Sequence, residues 1–196
     1  MKLPRYSYLL CVLGALVAGC GAPALPTATP VPPTPTPKTS CPASASLEVY
    51  TDPDGQYCLL YPATFQVRHE GPSGQVVFNG PPLDTSLEPV FASLTIAVEG
   101  PAAGRAMTEV MGDYWTVCNR PASRCIHQSL VLGGEPAEML ESVFGESPVG
   151  SRQAFAIHAG TVYHFSLSPV DINFSQAAPD VELMWQTLVD SFVFFR

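Results

Sequence analysis

From Leu47 onward, apolar and polar positions alternate along much of the chain, and that period of two predicts strands. The longest such stretch covers residues 90–99, where Ala92, Leu94, Ile96 and Val98 interleave with Phe91, Ser93, Thr95 and Ala97. Shorter strands are predicted at 47–50, closed by the turn Asp52-Pro53-Asp54-Gly55, and at 56–61, ended by Pro62. Others fall at 65–69, before the turn Gly71-Pro72-Ser73-Gly74, and at 75–79, before Gly80-Pro81-Pro82. Residues 128–132 form a strand that stops at Gly133-Gly134, and 137–144 form the next. Residues 153–158 and 161–167 make a hairpin around Ala159-Gly160.

Two stretches change period. Across 103–115, Met107, Val110, Met111 and Tyr114 share one helical stripe. A last helix begins near Pro179, a favourable first helical position, with Asp180 and Glu182 suited to its positive end. Val181, Met184, Trp185 and Leu188 form its buried stripe, which makes Trp185 a core residue. Ser191-Phe192-Val193-Phe194-Phe195 then reads as a closing strand that joins the sheet beneath the helix. The order predicts an α+β fold in which one antiparallel sheet is covered by helices. Tyr57, Tyr61, Tyr114, Trp115, Tyr163, Phe165, Trp185 and Phe192 are expected to fill the space between them, with a ligand groove as the competing reading.

The first residues follow another logic. Lys2 and Arg5 precede a compact apolar core, and small residues follow it, as in a secretory signal peptide over 1–19. Leu16-Val17-Ala18-Gly19-Cys20 resembles the bacterial lipobox. In that chemistry the Cys20 thiol takes a diacylglyceryl group through a thioether, and the peptidase needs small residues such as Ala18 and Gly19 before the cut. Two acyl chains suffice for stable anchoring. The apolar stretch is shorter than the ~20 residues a spanning helix needs. Residues 20–46 are expected to be a tether: Pro30, Pro32, Pro33, Pro35 and Pro37 favour extended polyproline II and cannot build a core. At ~3.1 Å per residue it would reach up to roughly 80 Å. Residues 47–196 then make a single domain.

Charge narrows the partners. The chain carries −8, and loss of Lys2 and Arg5 with the signal brings it to about −10. Such a chain has no electrostatic footprint for nucleic acid and gains nothing from anionic headgroups, so the lipid must supply the anchoring. Of six cysteines, Cys11 leaves with the signal and Cys20 is lipidated. Cys41, Cys58, Cys118 and Cys125 remain, and an even number outside the cytoplasm points to two disulfides. Three pairings are open. Cys118 with Cys125, around one short polar loop, is preferred, which leaves Cys41 with Cys58. A zinc site with His127 is the rival, but no Cys-x-x-Cys is present.

Three segments bring a family into view. Gln56-Tyr57-Cys58-Leu59-Leu60-Tyr61-Pro62 running into Phe65-Gln66-Val67 resembles the opening of PsbP-like domains. Val131-Leu132-Gly133-Gly134-Glu135-Pro136-Ala137 resembles their middle, and Leu188-Val189-Asp190-Ser191-Phe192-Val193-Phe194 their close. The resemblance implies an α/β/α sandwich around an antiparallel sheet. It covers photosystem-associated extrinsic proteins, a nuclear transport factor and many bacterial lipoproteins. The loop between Cys118 and Cys125 departs from the pattern, and no family metal or partner site can be carried over.

Motifs of catalysis are missing from the sequence. Gly71-Pro72-Ser73-Gly74 lies between strands rather than on a nucleophile elbow, and there is no His-Glu-x-x-His. His69 and His127 sit at strand ends and are expected in solvent. With Ala159-Gly160 as the turn, His158 pairs with Thr161 and His164 with Phe155, on opposite faces, so the two cannot share a metal. Glu138 and Glu141 also fall on opposite faces, too divided for paired acid–base work. No cofactor is implied. The expectation is a lipid-anchored domain on the extracytoplasmic face of the cell membrane that binds or scaffolds another envelope protein. The alternatives are a carrier of an apolar small molecule or lipid and, behind it, a hydrolase.

Overall fold

The computed structural model describes residues 40–70, 74–82, 90–121, 123–143, 150–170 and 172–195. The signal segment, Cys20, the tether up to residue 39 and most of the turn at 71–74 lie outside them. In chain order the elements are β1 (Leu47–Thr51), β2 (Tyr57–Pro62), β3 (Gln66–Glu70), β4 (Gln75–Pro82), β5 (Phe91–Pro101), α1 (Met107–Cys118), β6 (Ile126–Leu132), β7 (Glu135–Val143), β8 (Ser151–His158), β9 (Thr161–Ser168), a 3-10 helix (Ile172–Ala177), α2 (Ala178–Ser191) and β10 (Val193–Phe194).

These strands make two antiparallel sheets rather than the one expected. The larger has seven strands in the order β3-β4-β5-β9-β8-β7-β6, and the smaller has three, β1-β2-β10. The closing strand is the reason for the difference. It is only Val193–Phe194, because Ser191 still belongs to α2, and it pairs Val193 with Cys58 and Phe194 with Tyr57 instead of joining the large sheet. Partners so distant along the chain leave no periodic trace in sequence.

Local chemistry sets the turns. The Asp52 carboxylate accepts the backbone N–H groups of Asp54 and Gln56 at 3.1 and 3.2 Å, which ties the β1–β2 turn. The β8–β9 hairpin turns at Ala159 and Gly160, both at positive φ, and pairs His158 with Thr161 and Phe155 with His164, the register read from sequence. In β5, Ala92, Leu94 and Ile96 are fully buried, but the alternation fails at Ala97 and Val98, where a bulge between Val98 and Gly100 shifts the register.

The helix α1 starts four residues later than its periodicity predicts. Ala103 and Gly104 take positive φ and form a turn instead, and the Glu109 carboxylate accepts the Ala106 N–H at 2.8 Å to fix the new start. Gly112, at φ +50° and ψ −122°, interrupts the helix. Val110 and Met111 pack on Phe155, Leu140 and Val162. Across the sheet, Ala154 and Ala156 join the main core with Val181, Met184 and Leu188 of α2, so the two helices address opposite faces. Phe78, Phe165, Phe192 and Leu59, all fully buried, fill that core. Trp185 does not belong to it: the ring is half-buried at the rim, packed against the core rather than within it. Its position on the helix is one step past the centre of the stripe, which Val181, Met184 and Leu188 occupy.

The carboxyl end is tied in at several points. The Leu60 N–H donates to the Ser191 hydroxyl at 2.9 Å, the Phe195 N–H donates to the Gln56 carbonyl at 2.8 Å, and Phe192 stacks on Tyr57 with ring centres 5.2 Å apart. No helix among the described residues is long and apolar enough to cross a membrane.

Candidate functional site

The β8–β9 hairpin divides its two histidines between faces, and each meets a glutamate. On the α1 face, His164 Nδ1 lies 2.8 Å from Glu99 Oε1, and its Nε2 lies 2.6 Å from Gln153 Oε1. The buried Gln153 amide nitrogen donates in turn to the hydroxyls of Ser151 and Ser166, at 2.6 and 2.9 Å. The imidazole stacks on Phe155 at 4.4 Å and 6°, with Tyr114 tilted against it at 5.3 Å. The hydrogen bond from His164 holds the Glu99 carboxyl below the usual glutamate value. Partial burial opposes that shift, and the charges of His164 and Arg105 assist it.

On the other face, His158 Nδ1 is 2.8 Å from Glu135 Oε1, and Nε2 is 3.0 Å from the Phe195 carbonyl. Its ring lies flat on Phe194 at 4.5 Å. A third pair sits at the end of the sheet. His127 Nε2 is 2.7 Å from Glu138 Oε2, the Ser129 hydroxyl donates to the same carboxylate at 2.8 Å, and Trp115 meets the His127 ring edge-on at 5.0 Å. His127 and His69 are exposed.

These arrangements engage the ring nitrogens of His158 and His164 within the protein. A general base needs a ring nitrogen turned to the substrate. Both nitrogens of His164 and both of His158 instead face acceptors within the protein. The Ser129 hydroxyl donates to the Glu138 carboxylate rather than to His127. Glu138 and Glu141 go to separate partners, since Glu141 accepts Arg152 Nε at 2.7 Å on the face covered by α2. Among the described residues, no group of three or more His, Cys, Asp or Glu side chains could hold a metal ion.

The histidines were legible in the sequence, but their glutamates were not. One signal was available. With Gly133-Gly134 as the turn, Leu132 pairs with Glu135, which sets Glu138 opposite Ser129 and diagonal to His127. Arg152, on β8, carries no such local signal. Its guanidinium bonds Glu141 and Glu182 and is nearly buried. Cys118 is bonded to Cys125 and Cys41 to Cys58, with Cα–Cα separations of 5.1 and 5.8 Å. The first bond ties the end of α1 to the start of β6, and the second fastens the chain ahead of β1 to β2.

No protein-family model matches the chain, and no curated protein matches it. Solved structures do. The cyanobacterial PsbP protein CyanoP of Synechocystis is 17% identical, with a TM-score of 0.50 over 82% of this chain and all of that one. The protein LpqN, involved in cell envelope biogenesis of Mycobacterium tuberculosis, is 14% identical over 76% of this chain and 91% of that one. At a TM-score of 0.46 that second likeness is too loose to bear on function. The first defines the class: this is a PsbP-like fold, mainly antiparallel sheet with two helices.

Proposed function

We propose that this chain is a lipoprotein anchored through Cys20 on the extracytoplasmic face of the cell membrane, and that its PsbP-like domain is a non-catalytic module that binds or scaffolds another envelope protein. The observation that carries the second half is the engagement of His158 and His164, whose four ring nitrogens all face acceptors of the protein itself. The anchor rests on Leu16-Val17-Ala18-Gly19-Cys20 and on the proline-rich run behind it. Two disulfides fit the oxidising compartment to which such a signal leads. An apolar carrier would need open space under α2, where Phe78, Phe165, Phe192 and Met184 are packed without exposure.

Metabolic labelling with a palmitate analogue tests the anchor. The parent chain takes label and Cys20→Ala takes none; equal label in the two overturns the anchor. Cross-linking in intact cells, followed by purification, tests the module. An envelope protein captured by the parent and lost with Cys20→Ala supports it. An enzymatic turnover that His164→Gln abolishes overturns the non-catalytic reading.

A further inference from the structure

The two outer strands of the large sheet are finished differently. β3 is five residues long and carries Arg68, His69 and Glu70. Shortness and charge are the usual means by which an edge is kept from pairing. β6 has seven residues, Ile-His-Gln-Ser-Leu-Val-Leu, with no proline, glycine, lysine, arginine or carboxylate among them. It is exposed along nearly its whole length, and Ile126 and Val131 stand 54% and 52% open. Its one titratable side chain, His127, is turned to Glu138 on the neighbouring strand rather than guarding the edge.

We infer that β6 is a pairing edge, and that its occupant is β6 of a second copy of this chain, running antiparallel across a two-fold axis. The chain's own tether cannot fill the place. Pro30, Pro32, Pro33, Pro35 and Pro37 lack the N–H groups a ladder needs. A second copy fits by charge. In the register that overlaps all seven residues, Ser129 faces Ser129, Gln128 faces Leu130, His127 faces Val131 and Ile126 faces Leu132. That register brings Arg124 of one copy to the strand end where Glu135 of the other begins β7, and symmetry makes the contact twice. The arginine is available. Arg120 and Arg124 lie exposed on the loop closed by Cys118 and Cys125, and neither makes an ion pair among the described residues. In a chain of net charge −8, that corner is a basic spot set beside an uncharged edge.

The test uses the full chain in mild detergent, with Ser129→Cys and a short bis-maleimide, and reads the cross-linked peptide by mass spectrometry so that Cys11 and Cys20 are counted apart. The expected product joins residue 129 of one copy to residue 129 of another. Arg68→Cys, on the guarded edge in the same micelles, gives no such product. Adding Val131→Lys to Ser129→Cys abolishes the cross-link, and adding Arg124→Glu does the same. Thermal melts that match the parent show these surface variants to be folded. The inference is overturned if the Ser129→Cys chain reacts with a mono-maleimide yet yields no 129–129 peptide. Failure of that cysteine to react at all in the folded chain overturns it too, since something else then covers the edge. A yield unchanged by Val131→Lys or Arg124→Glu overturns it as well.

Discussion

The guanidinium of Arg152 stands 4.9 Å from the centre of the Trp185 ring, and the same group bonds Glu141 at 2.7 Å and Glu182 at 2.8 Å. One side chain of β8 thereby ties the sheet to α2. Trp185 serves as a lid on this cluster. Removing Arg152 would strand the partly buried Glu141 carboxylate, so Arg152→Met should cost about 2–4 kcal/mol, at the lower end for a buried pair because Glu182 is exposed. Trp185→Ala loses a rim contact and a cation–π pair and should cost about 1–2 kcal/mol. Leu188→Ala, in the fully buried stripe, should cost about 2–5 kcal/mol. Denaturant titration of the three variants checks the order. A Trp185→Ala loss as large as that of Leu188→Ala would place the ring in the core after all.

Glu99 should give the domain an acid limb. The hydrogen bond from His164 lowers the folded-state value of its carboxyl below that of the unfolded chain. The folded state therefore holds fewer protons between the two values, and stability rises with pH through that window. The contribution is fully present above the unfolded glutamate value, near ~4.3. It is lost as pH falls through the depressed folded value. Glu99→Gln should melt below the parent at neutral pH, and the gap should close in acid. A gap that persists unchanged into strong acid would mean that packing, not the ionised carboxylate, carries the effect.

At the other end of the scale, burial pushes the Tyr50 phenol up to about 12, with the Asp52 carboxylate adding to it, and raises the fully buried Tyr57 further still. A phenol with a raised folded value keeps its proton when the unfolded chain would release it. The stability it contributes is complete below the unfolded value near ~10 and is lost as pH rises through the folded value. Alkaline titration at the tyrosinate absorbance should find Tyr50 and Tyr57 the most reluctant of the described phenols to ionise. Both should ionise only with unfolding. Ionisation of Tyr50 and Tyr57 with the circular dichroism unchanged would contradict the packing around Tyr57.

What the sequence reveals is what has a short period. The pairing of His158 with Thr161 follows from a two-residue turn, and the burial of Val181, Met184 and Leu188 follows from helical spacing. The missed features depend on residues far apart along the chain. Phe194 pairs with Tyr57, more than a hundred positions earlier, and no local pattern says that it leaves the large sheet for the small one. The glutamates of His164 and His158 come from β5 and β7, and only a known register brings them there. Trp185 misleads for another reason. Its size agrees with burial, but it stands one step past the centre of the stripe, and its contact with Arg152 of β8 leaves no trace in the helical period.

The same long-range closure makes Gly133 the most sensitive glycine of the β6–β7 turn. It has φ +62°, a left-handed conformation that L side chains adopt only with strain. A Cβ there would also stand 2.7 Å from Phe194 Cδ2 and 3.0 Å from Phe192 Cδ1. Neither ring can retreat easily. Phe192 is stacked on Tyr57, while Phe194 is held in β10 against Tyr57 and His158. Gly55 offers the control: its φ of +67° is nearly the same, and nothing lies within 4 Å of the added Cβ. Gly55→Ala should therefore cost only the backbone strain, about 1 kcal/mol. Gly133→Ala adds an overpacking cost, for a total of about 2–4 kcal/mol. The difference between the two variants, read from thermal or denaturant melts, isolates the contact of the β6–β7 turn with the carboxyl-terminal phenylalanines. If the two alanines cost the same, Phe192 and Phe194 do not press on that turn. Phe194→Leu supplies the complementary measurement: by withdrawing the ring edge it should reduce the penalty of Gly133→Ala and leave that of Gly55→Ala untouched.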